Sequence, residues 1–164
     1  MTGALGIHNL AVMPRCDEED LLRDGFERVH IELDWWDGPR EGLADVDGKV
    51  HYFQAVWDDD QDDYGDEYYV WPASSPAVAM EREAQTIFLE WLTRYKSATA
   101  SIETHPGHGG VDARYDELKT RLLPFRAKPN DAIRMTAEWR ALDRRFHNNA
   151  AGPSYTVKWC RSGQ

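Results

Sequence analysis

The chain has 164 residues, of which 41% are hydrophobic and 29% are charged, and its formal net charge is −10 at pH 7. This composition is typical of one globular domain and is too rich in large apolar side chains for intrinsic disorder. The negative charge disfavours nucleic acid as a partner, because phosphates are bound mainly by Lys and Arg, and no apolar run approaches the roughly 18 residues that a membrane-spanning helix requires.

The charge is unevenly distributed along the chain. Residues 1–72 contain 5 Lys or Arg against 19 Asp or Glu, which gives −14, whereas residues 73–164 contain 14 against 10, which gives +4. Nine of the nineteen aromatic residues lie within the acidic half, at positions 34–71. Such asymmetry bears on association and solubility more than on the fold.

Residues 1–24 show no sustained periodicity and are expected to be an N-terminal extension with one short helical turn around Leu21 and Leu22. The apolar stretch near the start is too short for the core of a signal peptide, so the sequence favours a cytoplasmic protein. Two cysteines, Cys16 and Cys160, do not make a disulfide framework, and two reduced thiols are the simpler interpretation.

Residues 25–164 are expected to form a single domain, which begins with a strand. From Val29 the sequence alternates with a period of two, as in a strand with one buried face. Trp35 and Trp36 are adjacent there and are expected to face opposite sides of the sheet, so that one of them can belong to the core. The chain then reverses over residues 37–39, where Gly38 and Pro39 favour a turn.

The next strands flank Asp47 and Gly48, a pair that favours a two-residue type I′ hairpin. Closing this hairpin places Val46 opposite Lys49 and, further along, Leu43 opposite Tyr52. The acidic run at 58–67 is interpreted as a solvated loop, because so many like charges cannot be desolvated cheaply. A fourth short strand is expected over residues 68–71.

Two helices follow. The first is predicted from Ser75 to about Lys96, because Ser75 offers a capping hydroxyl and Pro76 occupies the first helical position. The second begins after Asp112 as its cap and ends at Pro124. Its inward side is predicted to consist of Val111, Tyr115, Leu118 and Leu122.

Alternating patterns return at residues 133–140 and 155–159, on either side of a polar loop. The order is therefore four strands, two helices and two strands, which predicts an α+β domain with a mainly antiparallel sheet of about six strands. The two helices would pack on a sheet that is either curved or closed into a small barrel.

Motifs for metals and cofactors are weak. Neither twelve-residue frame that starts in the acidic run, at Asp58 or at Asp60, ends in the Glu that an EF-hand requires. His105 and His108 are spaced to share a metal ion, but no third ligand is nearby in the sequence. The chain also has no glycine-rich phosphate-binding motif and no nucleophile elbow. We therefore expect no metal and no other cofactor.

Glu32 and Asp34 are expected on one strand face about 7 Å apart, within the range of the carboxylate pairs of glycoside hydrolases. Trp36, on the same face, would suit stacking on a sugar. These residues support one alternative function, a small hydrolase that depends on carboxylates or a metal. Chance also pairs carboxylates often in so acidic a chain, and an exposed polar face is the simpler interpretation.

The preferred hypothesis is a non-catalytic domain that binds a basic protein partner. Opposite charge accelerates association, and exposed rings add short-range binding energy. In composition only, the chain looks like the small acidic immunity proteins that neutralise basic bacterial toxins. A structural or oligomerising module is a further alternative, and the oligomeric state stays open. The candidate binding residues are Glu32, Asp34, Trp36, Asp60, Asp62 and Tyr64.

Overall fold

The computed structural model describes residues 17–142 and 152–161. Its strands are β1 (Glu27–Trp35), β2 (Pro39–Val46), β3 (Lys49–Asp58), β4 (Asp63–Pro72), β5 (Ile133–Ala141) and β6 (Tyr155–Arg161). Its helices are α1 (Glu18–Arg23), α2 (Ser75–Lys96) and α3 (Ala113–Arg126), with a short 3-10 helix at Ile102–Thr104. The strands form a closed antiparallel barrel in chain order, with β6 paired to β1. The predicted α+β fold is thus confirmed in its small-barrel form, and α1 is the helical turn predicted around Leu21 and Leu22.

Aromatic side chains fill the interior of the barrel. Four rings contact one another there with centroids 5.4 to 6.1 Å apart. Gly42 on β2 makes room for them, because a Cβ at this position would lie 2.8 Å from Phe53 Cζ and 2.1 Å from the carbonyl oxygen of Ile31. A barrel packed in this way leaves the ligand sites to its ends and outer wall. The four rings belong to Phe53, Tyr68, Trp139 and Trp159.

The outer wall of the barrel is covered by α2, whose Ala77 packs in one cluster with Ile31 and Trp71. Further along α2, the carboxylate of Glu81 is fully buried and accepts two hydrogen bonds from Arg126, at 2.7 and 2.8 Å. The hydroxyl of Tyr52 donates a third at 3.0 Å. Because this buried charge is fully paired, it joins α2 to α3 and to the barrel.

The hairpin between β2 and β3 matches its prediction. Val46 pairs with Lys49 and Leu43 with Tyr52. Asp47 and Gly48 have φ angles of 52° and 76°, the left-handed values that a type I′ turn needs at both positions.

The acidic run is not a long loop. β3 continues to Asp58 and β4 begins at Asp63, and these two residues are paired across the hairpin. The predicted loop at 58–67 and the predicted start of β4 at residue 68 were therefore wrong. Strand pairing uses only backbone groups, so it leaves the carboxylates in water and removes the objection from like charges.

Two helix boundaries also differ from their predictions. The cap of α2 is Ser74 rather than Ser75, because the Ser74 hydroxyl accepts the amide of Ala77 at 3.3 Å. Asp112 caps α3 as predicted, but the helix continues past Pro124. Val111 precedes this cap and is exposed, so it does not belong to the inward side of the helix.

Candidate functional site

Strand β1 does not keep the strict alternation that its sequence predicts. Its pairing with β2 shifts register between Val29 and Ile31, between Glu32 and Asp34, and between Asp34 and Trp35. Such irregularities change which face the following side chains take. Val29 consequently packs in the barrel core, whereas Ile31 packs outside with α2. One strand thus supplies both the core and the outer wall.

Neither tryptophan at the end of β1 is a core residue. Trp35 is 51% exposed and Trp36 is 71% exposed. Trp36 follows the last residue of the strand, in a turn where its amide donates to the carbonyl of Gly38 at 2.9 Å. The prediction that one of the pair belongs to the core was wrong. Trp36 lies in a turn, where strand alternation does not apply, and the pairing with β2 shifts register immediately before Trp35.

The seam between β1 and β6 is short. Along β1, pairing with β6 stops after Arg28. On the other side of the seam, Pro153 precedes β6 and has no backbone amide to donate. Instead, the amide of Ser154 donates to Glu32 Oε1 at 2.8 Å. A side-chain oxygen therefore replaces the backbone acceptor that a continuing strand would provide. The two paired positions of the seam are Glu27 with Val157 and Arg28 with Thr156.

The gap beyond the paired seam is a pocket of about 510 Å³ between β1, α2 and the segment that leads into β6. We call it the seam pocket. Its volume falls within the range of roughly 300–1,000 Å³ that small-molecule sites occupy. Its walls are formed by His30, Glu32, Leu33, Trp35, Gln85, Phe88, Leu89, Gly152, Pro153, Ser154 and Tyr155.

Glu32 is the carboxylate of the seam pocket. Burial raises the pKa of Glu32, and hydrogen bonds from the backbone amides of Ser154 and Tyr155 oppose this rise in part. Desolvation is the larger effect because it penalises the charged form. The ionised carboxylate is therefore less well solvated here than it would be in water.

His30, on the same wall, already has a partner at each ring nitrogen. Its Nε2 lies 2.8 Å from Asp45 Oδ1, and its Nδ1 lies 3.4 Å from Nη2 of Arg82. Both nitrogens are thus engaged with side chains, which leaves His30 as a fixed element of the wall rather than an available base.

The predicted pair of carboxylates is not assembled in this pocket. Glu32 lines the pocket, whereas Asp34 is exposed and is not part of the lining. The register shift between the two residues accounts for the separation, because it breaks the alternation on which the pairing depended.

The other predicted site residues lie at one end of the barrel, where the β1–β2 and β3–β4 turns both emerge. We call residues 34–37 and 57–66 the acidic rim. Arg40 connects its two parts: the guanidinium donates to the carbonyl of Trp36 at 2.6 Å and lies 4.8 Å from the centre of the Tyr64 ring. Asp34, Trp36, Asp60, Asp62 and Tyr64 therefore share this end.

The acidic rim is charged, and none of its carboxylates forms an ion pair with a described residue. Three of the seven tryptophans accompany them: Trp35, Trp36 and Trp57, which are 46% to 71% exposed. The ring of Trp57 packs edge-on against Tyr64 at 5.0 Å, which fixes the base of the hairpin. The rim carboxylates belong to Asp34, Asp37, Asp58, Asp59, Asp60, Asp62, Asp63 and Asp66.

Residues 17–142 and 152–161 contain no group of three or more His, Cys, Asp or Glu side chains arranged to hold a metal ion. His105 instead packs against Trp91 at a ring distance of 4.5 Å and accepts the amide of Gly107 at 2.8 Å. Cys160 is exposed on β6, and Cys16 lies outside the described residues. No helix of the described chain has the length and apolar character needed to cross a membrane.

Comparisons with family models, with curated proteins and with solved structures find no match for this chain. The chemistry of the acidic rim and of the seam pocket is therefore what indicates a function.

Sequence reasoning found Glu32 but missed the residues that make a pocket around it, notably Phe88 and Ser154. Pro153 signals locally that β6 cannot begin before it. No local signal shows that the segment at 152–155 faces β1, because this proximity follows from closure of the barrel.

Proposed function

We propose that the protein is a non-catalytic binding domain that engages a basic protein partner through the acidic rim. The observation that carries this proposal is the presence, at one end of the barrel, of eight carboxylates without a described ion pair and three exposed tryptophans.

The two kinds of side chain would act at different distances. The carboxylates attract a positively charged surface over roughly a Debye length, about 8 to 10 Å at ordinary ionic strength, and so raise the association rate. The tryptophans act on contact, since buried Trp is among the most frequent sources of binding energy at interfaces. Charge therefore directs the encounter, and the rings slow dissociation.

The chemistry of the rim favours a partner rich in arginine. A guanidinium can pair with a carboxylate through two hydrogen bonds and can also stack on an aromatic face. The rim already contains one cation–π contact of this kind, in which the guanidinium of Arg40 lies over the Tyr64 ring. A protein surface with several arginines would repeat it on the exposed indoles of Trp36 and Trp57.

The test is affinity capture from the source cell with the purified chain as bait, at low and high salt. We expect a basic protein to be retained at low salt and released at high salt. A rim variant should lose this retention, whereas a control variant with the same change in charge should keep it. The rim variant is Asp59→Asn, Asp60→Asn and Asp62→Asn. The control is Glu90→Gln, Glu103→Gln and Asp131→Asn, at exposed residues outside the rim.

Retention that is indifferent to salt, or that both variants reduce equally, would contradict the proposal. So would the absence of any basic protein at low salt. The mass of the chain at low salt should be measured in parallel. A dimer that the rim variant dissociates would identify the positively charged half of a second copy as the partner, in place of a different protein.

A further inference from the structure

We propose that the seam pocket binds a small organic cation, an ammonium or guanidinium group carried on an apolar body. This site lies on the outer wall of the barrel. It shares Trp35 with the acidic rim, but its carboxylate is Glu32, which lies outside the rim, so the inference does not depend on the function proposed for the rim.

The position of the pocket supports a binding site. It occupies the gap where β1 and β6 stop pairing, and Glu32 holds the edge of that gap by accepting the amide of Ser154. The carboxylate is thereby fixed in orientation by the backbone rather than by a second side chain. Preorganisation of this kind lowers the entropy lost when a ligand binds.

The charge of the pocket favours a cation. Glu32 contributes a carboxylate, and the described lining contains no Lys or Arg. Arg82 is not part of the lining, and its Nη2 lies 3.4 Å from Nδ1 of His30, which in turn pairs with Asp45. A carboxylate has about four lone-pair sites, and two backbone amides leave room for a further donor. An anionic ligand would meet only repulsion from Glu32.

The remaining walls favour an apolar body on the cation. Trp35 and Phe88 present rings to the pocket, and Leu33 and Leu89 add aliphatic surface. An aromatic face attracts a cation as well as apolar groups. Trp35 is half exposed, so a ligand in the pocket would cover apolar surface that is now in contact with water.

The ionisation of Glu32 agrees with this geometry. Burial raises its pKa because the charged form is poorly solvated. A bound cation would compensate for that loss and lower the pKa again, so affinity should increase as the pH rises through the pKa of Glu32.

The cation could be a free amine or the side chain of an arginine or lysine in another protein. Both present the same chemistry to Glu32, and the test separates them. A free amine needs only the pocket, whereas a side chain carries backbone that would lie outside it.

The test uses benzylammonium as the probe, with benzyl alcohol as its neutral analogue and benzoate as the anion, followed by NMR of the backbone amides. We expect benzylammonium to shift the amide resonances of Ser154 and Tyr155 and to bind about ten-fold or more tightly than benzyl alcohol, since a charged hydrogen bond is added. Benzoate should not bind. A capped Gly-Arg-Gly peptide forms the second arm: tighter binding of the peptide would assign the site to a protein side chain, and weaker binding would assign it to a free amine.

Glu32→Gln is the decisive variant, because it removes the charge but keeps an oxygen to accept the Ser154 amide. It should weaken benzylammonium about ten-fold and leave benzyl alcohol unchanged. Asp131→Asn is the control: it removes the same charge from an exposed residue outside both the seam pocket and the acidic rim, and should change neither affinity.

Three results would overturn the inference. They are equal affinity for benzylammonium and benzyl alcohol, equal effects of the Glu32 and Asp131 substitutions, and no shift at Ser154 and Tyr155 with millimolar benzylammonium. The rim variant Asp59→Asn, Asp60→Asn, Asp62→Asn should bind benzylammonium normally. Failure at either site can therefore be distinguished from failure at the other.

Discussion

The acidic rim and the wall under α2 use the same kinds of side chain in opposite ways. On the wall, Glu81 and Tyr52 are buried beside Arg126, which supplies the counter-charge from within the chain. On the rim, exposed carboxylates accompany exposed tryptophans, and none of the carboxylates forms an ion pair with a described residue, although Arg40 lies over the Tyr64 ring among them. The difference shows that residue type alone does not indicate a function. A carboxylate is a candidate binding group when no cation of the same chain pairs with it.

The seam pocket lies between these extremes. Glu32 has backbone donors but no cation among the residues that line the pocket. It is held in place like Glu81, yet, like the rim carboxylates, it forms no ion pair with a described residue. A fixed carboxylate whose charge is not paired within the described structure is characteristic of binding sites, where groups are ordered before the ligand arrives.

The largest expected effect concerns stability and the buried ion pair between Glu81 and Arg126. Arg126→Met should lower the free energy of unfolding by about 3–5 kcal/mol, because it leaves the buried carboxylate of Glu81 without a counter-charge. Urea unfolding measures this loss. Arg114→Met is the matched control, since Arg114 pairs with Glu83 between the same two helices but in solvent. Equal losses of unfolding free energy in the two variants would contradict the prediction that the buried ion pair matters more than the exposed one.

The second prediction contrasts a core tryptophan with a rim tryptophan. Trp139→Ala should cost about 3 kcal/mol or more, because its ring packs in the barrel and its indole donates to the Tyr68 hydroxyl at 3.1 Å. Trp36→Ala should change stability by no more than about 0.5 kcal/mol, because its ring is mostly in solvent. Thermal melting of both variants decides this, and a comparable loss in Trp36→Ala would show that the rim is structural.

The third prediction concerns the seam pocket and the pH dependence of stability that Glu32 causes. Folding raises the pKa of Glu32, so the folded chain holds this proton more tightly than the unfolded chain does. Wild-type stability should therefore fall as the pH rises from the unfolded pKa of about 4.3 towards the folded value. The free energy of unfolding of Glu32→Gln should not fall in this way. Relative to the wild type it should therefore rise by about 1.4 kcal/mol for each pH unit between the two pKa values.

Denaturant unfolding at a series of pH values measures this gain. Asp34→Asn controls for removal of a charge from the same strand. A constant difference between Glu32→Gln and the wild type across this window would contradict the prediction.

The smallest effect concerns His105, whose ring packs against Trp91 of α2. Burial, together with the nearby charges of His108 and Lys119, lowers the pKa of His105. Its imidazole should therefore titrate below about 6.5. The folded state favours the neutral ring, so stability should fall slightly as the pH drops below that value. An NMR titration of the imidazole checks the midpoint, and a value above 6.5 would contradict the prediction.

Features with local causes were predictable from the sequence. Asp47 and Gly48 determine their hairpin because a type I′ turn needs two residues that tolerate positive φ. Helix α2 follows from a cap, an early proline and an apolar stripe, and only its cap was misplaced by one residue. Each of these signals lies within a few residues of the structure that it specifies.

Features that depend on distant pairing were not predictable. The pairing of β1 with β2 shifts register between Glu32 and Asp34, and of these two residues only Glu32 lines the seam pocket. Such a shift is defined only relative to the partner strand. The seam pocket requires β6 to approach β1 across more than 120 residues of sequence, as the Ser154–Glu32 hydrogen bond shows. The acidic run at 58–67 differs from its prediction for another reason: strand pairing uses backbone groups and leaves the carboxylates in water.

The brevity of the β1–β6 seam also bears on how the barrel opens. Two positions pair there, whereas β5 and β6 pair at seven. Hydrogen exchange of backbone amides should therefore begin along this line, since the least-bonded junction requires the least energy to separate. A molecule that spans from Glu32 to the opposite edge would slow that exchange. Ligand binding in the seam pocket could then be detected from slower hydrogen exchange of the barrel's backbone amides.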